Sequence, residues 1–115
     1  MMRTRVDEAG MGEMKQAAPN PALNAGRKDD SGKIRYSLVP PRALALVARV
    51  LTYGAERYGA HNWERVENGR ERYTDAVMRH VEAWRSGEKS DPDTGVHHLA
   101  HAVCCALFLV ELETR

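Results

Sequence analysis

The segment from Leu99 to Val110 constrains the fold of this 115-residue chain more than any other. It predicts a helix that is apolar on nearly every side, and such a helix is covered on several sides in a folded protein. So short a chain offers few other elements to cover it. The sequence therefore predicts a core that another subunit completes, in a homodimer or a homotetramer.

Two other segments have apolar residues at intervals of three or four, which is the spacing of amphipathic helices. No alternation of apolar and polar residues extends beyond a few positions, so strands are not expected. The predicted fold class is all-α, a small bundle of three main helices. The expected helices begin at Arg42, at about Arg70 and at about Pro92. Gly59 and Gly87 are expected to end the first two. The third is expected to have Asp91 as its N-cap and to end at Glu113.

Composition divides the chain and excludes several function classes. Residues 1–27 precede the first aromatic residue, Tyr36, and have too few apolar side chains to offset the entropy of ordering, so a disordered or partner-ordered tail is expected before a helical domain at 28–115. A net charge of +1 argues against a nucleic-acid polymer as partner. No apolar run approaches the roughly 18 residues of a membrane span. The adjacent Cys104 and Cys105 suit free thiols in a reducing cytoplasm.

Histidines on the predicted helices suggest a metal site. His98 and His101 are three residues apart and share one face of the third helix, while His80 lies on the inward stripe of the second. With Glu56 at the end of the first helix, these residues could hold a divalent ion such as Mg²⁺, Mn²⁺ or Co²⁺. The alternatives are a hydrogen-bonded core histidine at position 80, a solvated charge at Glu56, and Asp91 as a helix-start residue rather than a ligand.

Two loops contain candidate substrate contacts. Lys33 and Arg35 follow Gly32, and cations beside glycine amides can bind a polyphosphate, although a basic linker would have the same composition. Asn62 and Trp63 could read and stack on a nucleobase. The alternative for Trp63 is that its ring closes one end of the bundle.

Together these motifs identify a resemblance. Residues 28–113 resemble the N-terminal domain of phage dATP/dGTP diphosphohydrolases, a family similar to the all-α MazG-like nucleoside-triphosphate pyrophosphohydrolases. The motifs, in chain order, are KIRY, LVPP, LTYGAERYG and NW, then YTDAVMRH, GE, DPDTG and HLAHA.

The resemblance implies hydrolysis of a (deoxy)nucleoside triphosphate, dGTP or dATP, to the monophosphate and pyrophosphate. Metal ions at Glu56, His98 and His101 would activate water for attack on the α-phosphorus. MazG-like enzymes place paired acids where this chain has one glutamate and a His-x-x-His pair, which favours Mn²⁺ or Co²⁺. An HD-type triphosphohydrolase and a non-catalytic nucleotide-binding or protein-binding module are the alternatives. The residues implied for catalysis are Glu56, Asp75, Arg79 and His80, and those for substrate binding are Lys33, Arg35, Asn62 and Trp63.

Overall fold

The computed structural model describes residues 5–6, 12–13, 15, 17–18 and 26–115. Most of the expected tail at residues 1–27 lies outside these ranges. Within it, strand β1 (Arg5–Val6) pairs antiparallel with strand β2 (Gly12–Glu13). These strands have two residues each and precede the helices in the chain.

Three α-helices form the described domain, which confirms the all-α prediction. Helix α1 spans Pro41–Tyr58, α2 spans Gly69–Arg85 and α3 spans His98–Glu113. Short 3-10 turns at Tyr36–Leu38 and Asn62–Arg65 precede α1 and α2.

Glycines end the first two helices, as predicted. Gly59 follows α1 at φ +98°, and its N–H donates to the carbonyl of Ala55 at 2.8 Å. At the end of α2, Gly87 donates to the carbonyl of Trp84, and Glu88 donates to that of Ala83, both at 3.0 Å. This pair of bonds is a Schellman motif, which needs a left-handed residue at position 87, and Gly87 has φ +109°.

The predicted start of the third helix is wrong. Helix α3 begins at His98 instead of Pro92, and its N-cap is His97, whose Nδ1 accepts the N–H of Leu99 at 3.0 Å. Gly95, at φ +73°, turns the chain out of helical conformation, and the N–H of Asp91 then donates back to the carbonyl of Val96. The loop from Ser86 to His97 is therefore held by its own backbone hydrogen bonds.

Helix α3 lies at the centre, packed on both α1 and α2. The buried apolar side chains of the described residues are few and mostly small. A stripe of α3 stays exposed, and it is apolar: Val103, Leu107 and Val110 are 48%, 46% and 59% exposed. Helices α1 and α2 thus cover α3 on two sides, and the apolar stripe on its third side is exposed. In the described part of the chain, none of the helices is long and apolar enough to cross a membrane. The buried apolar residues are Val47, Val96, Ala100, Ala102 and Cys104.

Candidate active site

Three histidines from two helices meet beside the loop between them. His80 faces inward from α2, and His98 and His101 occupy the first turn of α3. The Nδ1 atoms of His80 and His98 are 2.9 Å apart, and the His80 and His101 rings are stacked with centroids 4.6 Å apart. His98 and His101 are buried, and His80 is half-buried. The inward placement that the apolar stripe predicted for His80 is confirmed.

Asp91 lies beside this group and is held by its own loop. Its Oδ1 accepts the N–H groups of Asp93 at 2.8 Å and Thr94 at 3.2 Å. Its Oδ2 lies 4.0 Å from Nδ1 of His80. One carboxylate oxygen therefore orders the loop while the other faces the imidazoles. Asp91 is therefore not the N-cap that the sequence predicts for the third helix. It holds a turn in the loop before that helix, through the same kind of side-chain-to-backbone hydrogen bond.

Glu88 and Thr94 hold the two α3 histidines. The Nε2 of His98 lies 2.6 Å from Oε1 of Glu88, so this nitrogen holds the ring proton and donates it to the carboxylate. In neutral His98 the lone pair is then on Nδ1, which accepts the Nδ1–H of His80 at 2.9 Å. Thr94 Oγ1 lies 2.6 Å from Nε2 of His101 and also accepts the N–H of Val96. Both imidazoles are fixed in orientation by these partners.

The electrostatics favour the neutral imidazoles of His80 and His101 and the ionised carboxylate of Asp91. Burial, and then the nearby His101, lower the pKa of His80 below its ordinary 6.5, and burial likewise lowers the pKa of His101. For Asp91, burial would raise the pKa, but the N–H groups of Asp93 and Thr94 outweigh it and the pKa falls below 3.8. Neutral imidazole and ionised carboxylate are the forms that bind metal ions.

One group of side chains in the described part of the chain has the spacing of a metal site. Its members are His80, Asp91 and His98, whose ligand atoms all lie within 4.8 Å of one another. Of the predicted ligands Glu56, His98 and His101, only His98 belongs to this group. His101 adjoins it through its stacked ring.

Glu56 is on the neighbouring helix, with an exposed side chain. It lines a shallow depression between α1 and the loop, together with Thr94, the residue that contacts His101. The structure therefore brings Glu56 next to the group but not into it. The other lining residues are Arg49, Thr52, Tyr53 and Val96.

The predicted catalytic residues Asp75 and Arg79 are exposed on α2. Asp75 lines a separate shallow depression with Asn68 and Arg70, towards the start of the helix. Arg79 adjoins His80 in the sequence, and its positive charge contributes to the low pKa of that imidazole. Arg79 is thus near the histidines, whereas Asp75 is more than one helical turn from His80.

The predicted substrate contacts lie on two other segments. Lys33 and Arg35 are exposed, and the N–H of Lys33 donates to the nearby carbonyl of Asp30. Asn62 and Trp63 are half-buried in the 3-10 turn before α2.

The Trp63 ring is stacked on Phe108, with centroids 4.4 Å apart and planes within 10°. Phe108 is ten residues beyond His98 on α3, about 15 Å along the helix axis. These contacts favour the alternative in which Trp63 closes the far end of the bundle.

Sequence reasoning missed the roles of Glu88 and Thr94. Both are in the loop, where no periodicity indicates which way a side chain points. One signal was available for Glu88: it directly follows the glycine that ends α2, and a Schellman motif fixes that position relative to the helix.

Comparisons with known proteins agree with the motif resemblance. A family profile described as "dATP/dGTP diphosphohydrolase, N-terminal" matches residues 23–115. A protein of Salmonella phage PMBT28, named dATP/dGTP diphosphohydrolase, is 43% identical over 84 residues, which are 73% of this chain and 28% of that relative. The chain thus spans less than a third of the relative's length. No solved structure matches the chain significantly. The matched region includes all three helices and every histidine of the site. This chain belongs to the dATP/dGTP diphosphohydrolase N-terminal family.

Proposed function

We propose that this chain hydrolyses a deoxynucleoside triphosphate, dGTP or dATP, to the monophosphate and pyrophosphate at the histidine group. The observation that carries the proposal is the convergence of His80, Asp91 and His98 within 4.8 Å, in a domain of this family. The name of the phage relative supports the substrate class.

The donor set suits a divalent metal ion. Two imidazole nitrogens and one carboxylate oxygen favour Mn²⁺, Co²⁺ or Zn²⁺ over Mg²⁺, which prefers oxygen ligands. His80, Asp91 and His98 would hold the ion, with Glu56 and His101 as the further ligands that the sequence predicts. A bound ion would supply Lewis-acid stabilisation of phosphate oxygens and a more acidic water.

The chain's own residues would prepare and complete this site. Glu88 holds the proton of His98 on Nε2, so that Nδ1 is the acceptor nitrogen of the neutral ring. The backbone N–H groups of Asp93 and Thr94 keep Asp91 ionised and in place. We propose that Arg79, with Lys33 and Arg35, balances the negative charge of the triphosphate. Asp75 remains a predicted catalytic residue and Asn62 a predicted substrate contact.

The direct test identifies the products. The purified chain would be incubated with each dNTP and NTP in Mg²⁺, Mn²⁺ or Co²⁺, and products resolved by ion-exchange chromatography. Monophosphate and pyrophosphate from dGTP or dATP are expected. Nucleoside and triphosphate would instead assign an HD-type triphosphohydrolase, and no turnover with any pair would leave a binding module.

A matched pair of variants links activity to the site. Asp91→Asn keeps an oxygen that can accept the two loop N–H groups but removes the charge facing His80, so we expect at least a tenfold loss of activity. Asp93→Asn removes an exposed charge two residues away and should retain activity. Equal activity in the two variants would contradict the assignment.

We also propose that a second copy of the chain covers the exposed apolar stripe of α3. Val103, Leu107 and Val110 are each about half exposed on the central helix, and the core of the described domain is small. Light scattering with size-exclusion chromatography should give the mass of a dimer or tetramer. Leu107→Lys should lower that mass, whereas Met78→Lys, an exposed position on α2, should lower it less. A monomer at every concentration would contradict this proposal.

A further inference from the structure

We propose that Glu88 is a positioning residue of the metal site, acting through His98. The inference rests on the proposed function, because it assigns His98 as a ligand. Glu88 is not a member of the group His80, Asp91 and His98. Its carboxylate contacts Nε2 of His98, on the side of the ring opposite to Nδ1 and His80.

The hydrogen bond fixes both the rotation and the tautomer of the ring. At 2.6 Å the Glu88 carboxylate accepts the proton of Nε2, and Nδ1 is then the nitrogen left to bind an ion. This Nδ1 accepts the Nδ1–H of His80 at 2.9 Å, and a bound ion would take the place of that proton. Partners of this kind typically contribute a factor of 10 to 100 in metal affinity by orienting the ligand.

The backbone holds Glu88 in place for this contact. The Schellman motif at the end of α2 bonds the N–H of Glu88 to the carbonyl of Ala83. One residue later, the carbonyl of Lys89 accepts the N–H of His98 at 2.9 Å. Main-chain hydrogen bonds as well as the side-chain bond therefore hold Glu88 close to His98. Because these bonds already order the loop, the carboxylate contacts the ring with little further loss of loop entropy.

An ordinary surface ion pair would have a different environment. Glu82 and Arg85 are such a pair, at 2.9 Å with both side chains at least 60% exposed, and pairs of this kind contribute little. The Glu88 side chain is 55% exposed, but its partner His98 is only 5% exposed. Removing the carboxylate would leave a buried ring N–H without this acceptor, which is far more costly than losing a solvated contact.

The test compares three variants of the full chain by metal binding and by NMR, with thermal melts as a check of folding. Glu88→Ala removes the acceptor, Glu88→Gln keeps a neutral acceptor, and Glu82→Ala is a control that removes an exposed carboxylate on the same end of α2. Isothermal titration with Mn²⁺ and Co²⁺ gives the metal Kd. Long-range ¹H–¹⁵N NMR of the histidine rings gives the tautomer of His98 without metal. Thermal melts followed by circular dichroism establish that each variant is folded.

We expect Glu88→Ala to raise the metal Kd 10- to 100-fold, Glu88→Gln to raise it less, and Glu82→Ala to leave it unchanged. The His98 ring should be protonated on Nε2 in the wild type and become a mixture of tautomers in Glu88→Ala. An unchanged Kd in Glu88→Ala, with metal binding intact in the wild type, would overturn the inference alone. Absence of metal binding in the wild type would overturn the metal site of the proposed function, and the positioning role with it.

Discussion

The contact between Trp63 and Phe108 leads to a quantitative prediction, because it decides between two roles for the tryptophan. The rings are parallel within 10° with centroids 4.4 Å apart, and Tyr73 packs on Phe108 from another side at 5.0 Å. Tyr73 also donates its hydroxyl to the carbonyl of Trp63 at 2.8 Å. If these contacts close the bundle, Trp63 contributes to the stability of the fold.

The magnitude follows from the contacts. A stacked aromatic pair contributes about 0.5–1.5 kcal/mol beyond the area that it buries. The guanidinium of Arg115 lies 5.4 Å from the centroid of the Trp63 ring, and such a cation–π contact at an exposed site adds about 0.5–1 kcal/mol. We therefore expect Trp63→Leu to lower the free energy of unfolding by about 1–2.5 kcal/mol.

A double-mutant cycle isolates the pair. Urea unfolding followed by circular dichroism would be measured for the wild type, Trp63→Leu, Phe108→Leu and the double variant. The coupling energy should be about 0.5–1.5 kcal/mol. Trp84→Leu, at a 44% exposed position, is the control and should change stability by less than about 0.5 kcal/mol. A coupling energy near zero, together with a raised KM for dNTP in Trp63→Leu, would refute the reasoning and assign Trp63 to the base.

Three further predictions concern stability and reactivity. Folding lowers the pKa of His80 and His101 below their ordinary 6.5, so the unfolded chain binds protons more readily than the folded one. The urea midpoint should therefore be highest above pH 6.5 and fall as the pH drops below it. A midpoint that stays constant from pH 7.5 to 5 would contradict this. Asp91→Ala removes the acceptor of two loop N–H groups and should lower the free energy of unfolding by about 1 kcal/mol. Asp91→Asn keeps an acceptor oxygen and should be much closer to the wild type in the same urea titration. Equal losses of stability in the two variants would contradict the role of Asp91 in holding the turn. Burial raises the pKa of Cys104 to about 12, so an aromatic disulfide reagent at pH 8 should label this thiol only as fast as the domain unfolds, and rapid labelling of native protein would show that the thiol is accessible.

Local patterns in the sequence were sufficient for the helices and for much of the histidine group. Apolar spacing determines which residues form a helix, and glycines at 59 and 87 supply the positive φ angles that end two of them. The same spacing puts His80 on the packed face of α2. Two imidazoles three residues apart must share a face of α3. Each of these features depends on residues close together in the chain.

The sequence by itself therefore determined the all-α class, two helix ends and the inward histidines. Only the tertiary structure decided the start of α3, the pairing of Glu88 with His98, and the approach of Asp91 to His80. The physical reason is that these contacts join a helix to a loop, and hydrogen bonds within the loop set their direction. The proline and aspartates at 91–93 favour a helix start locally, but Gly95 and the backbone bond from Asp91 to Val96 turn the chain first. Periodicity determines the face of a helix on which a residue lies, whereas a loop side chain is placed by the contacts that the folded chain offers it.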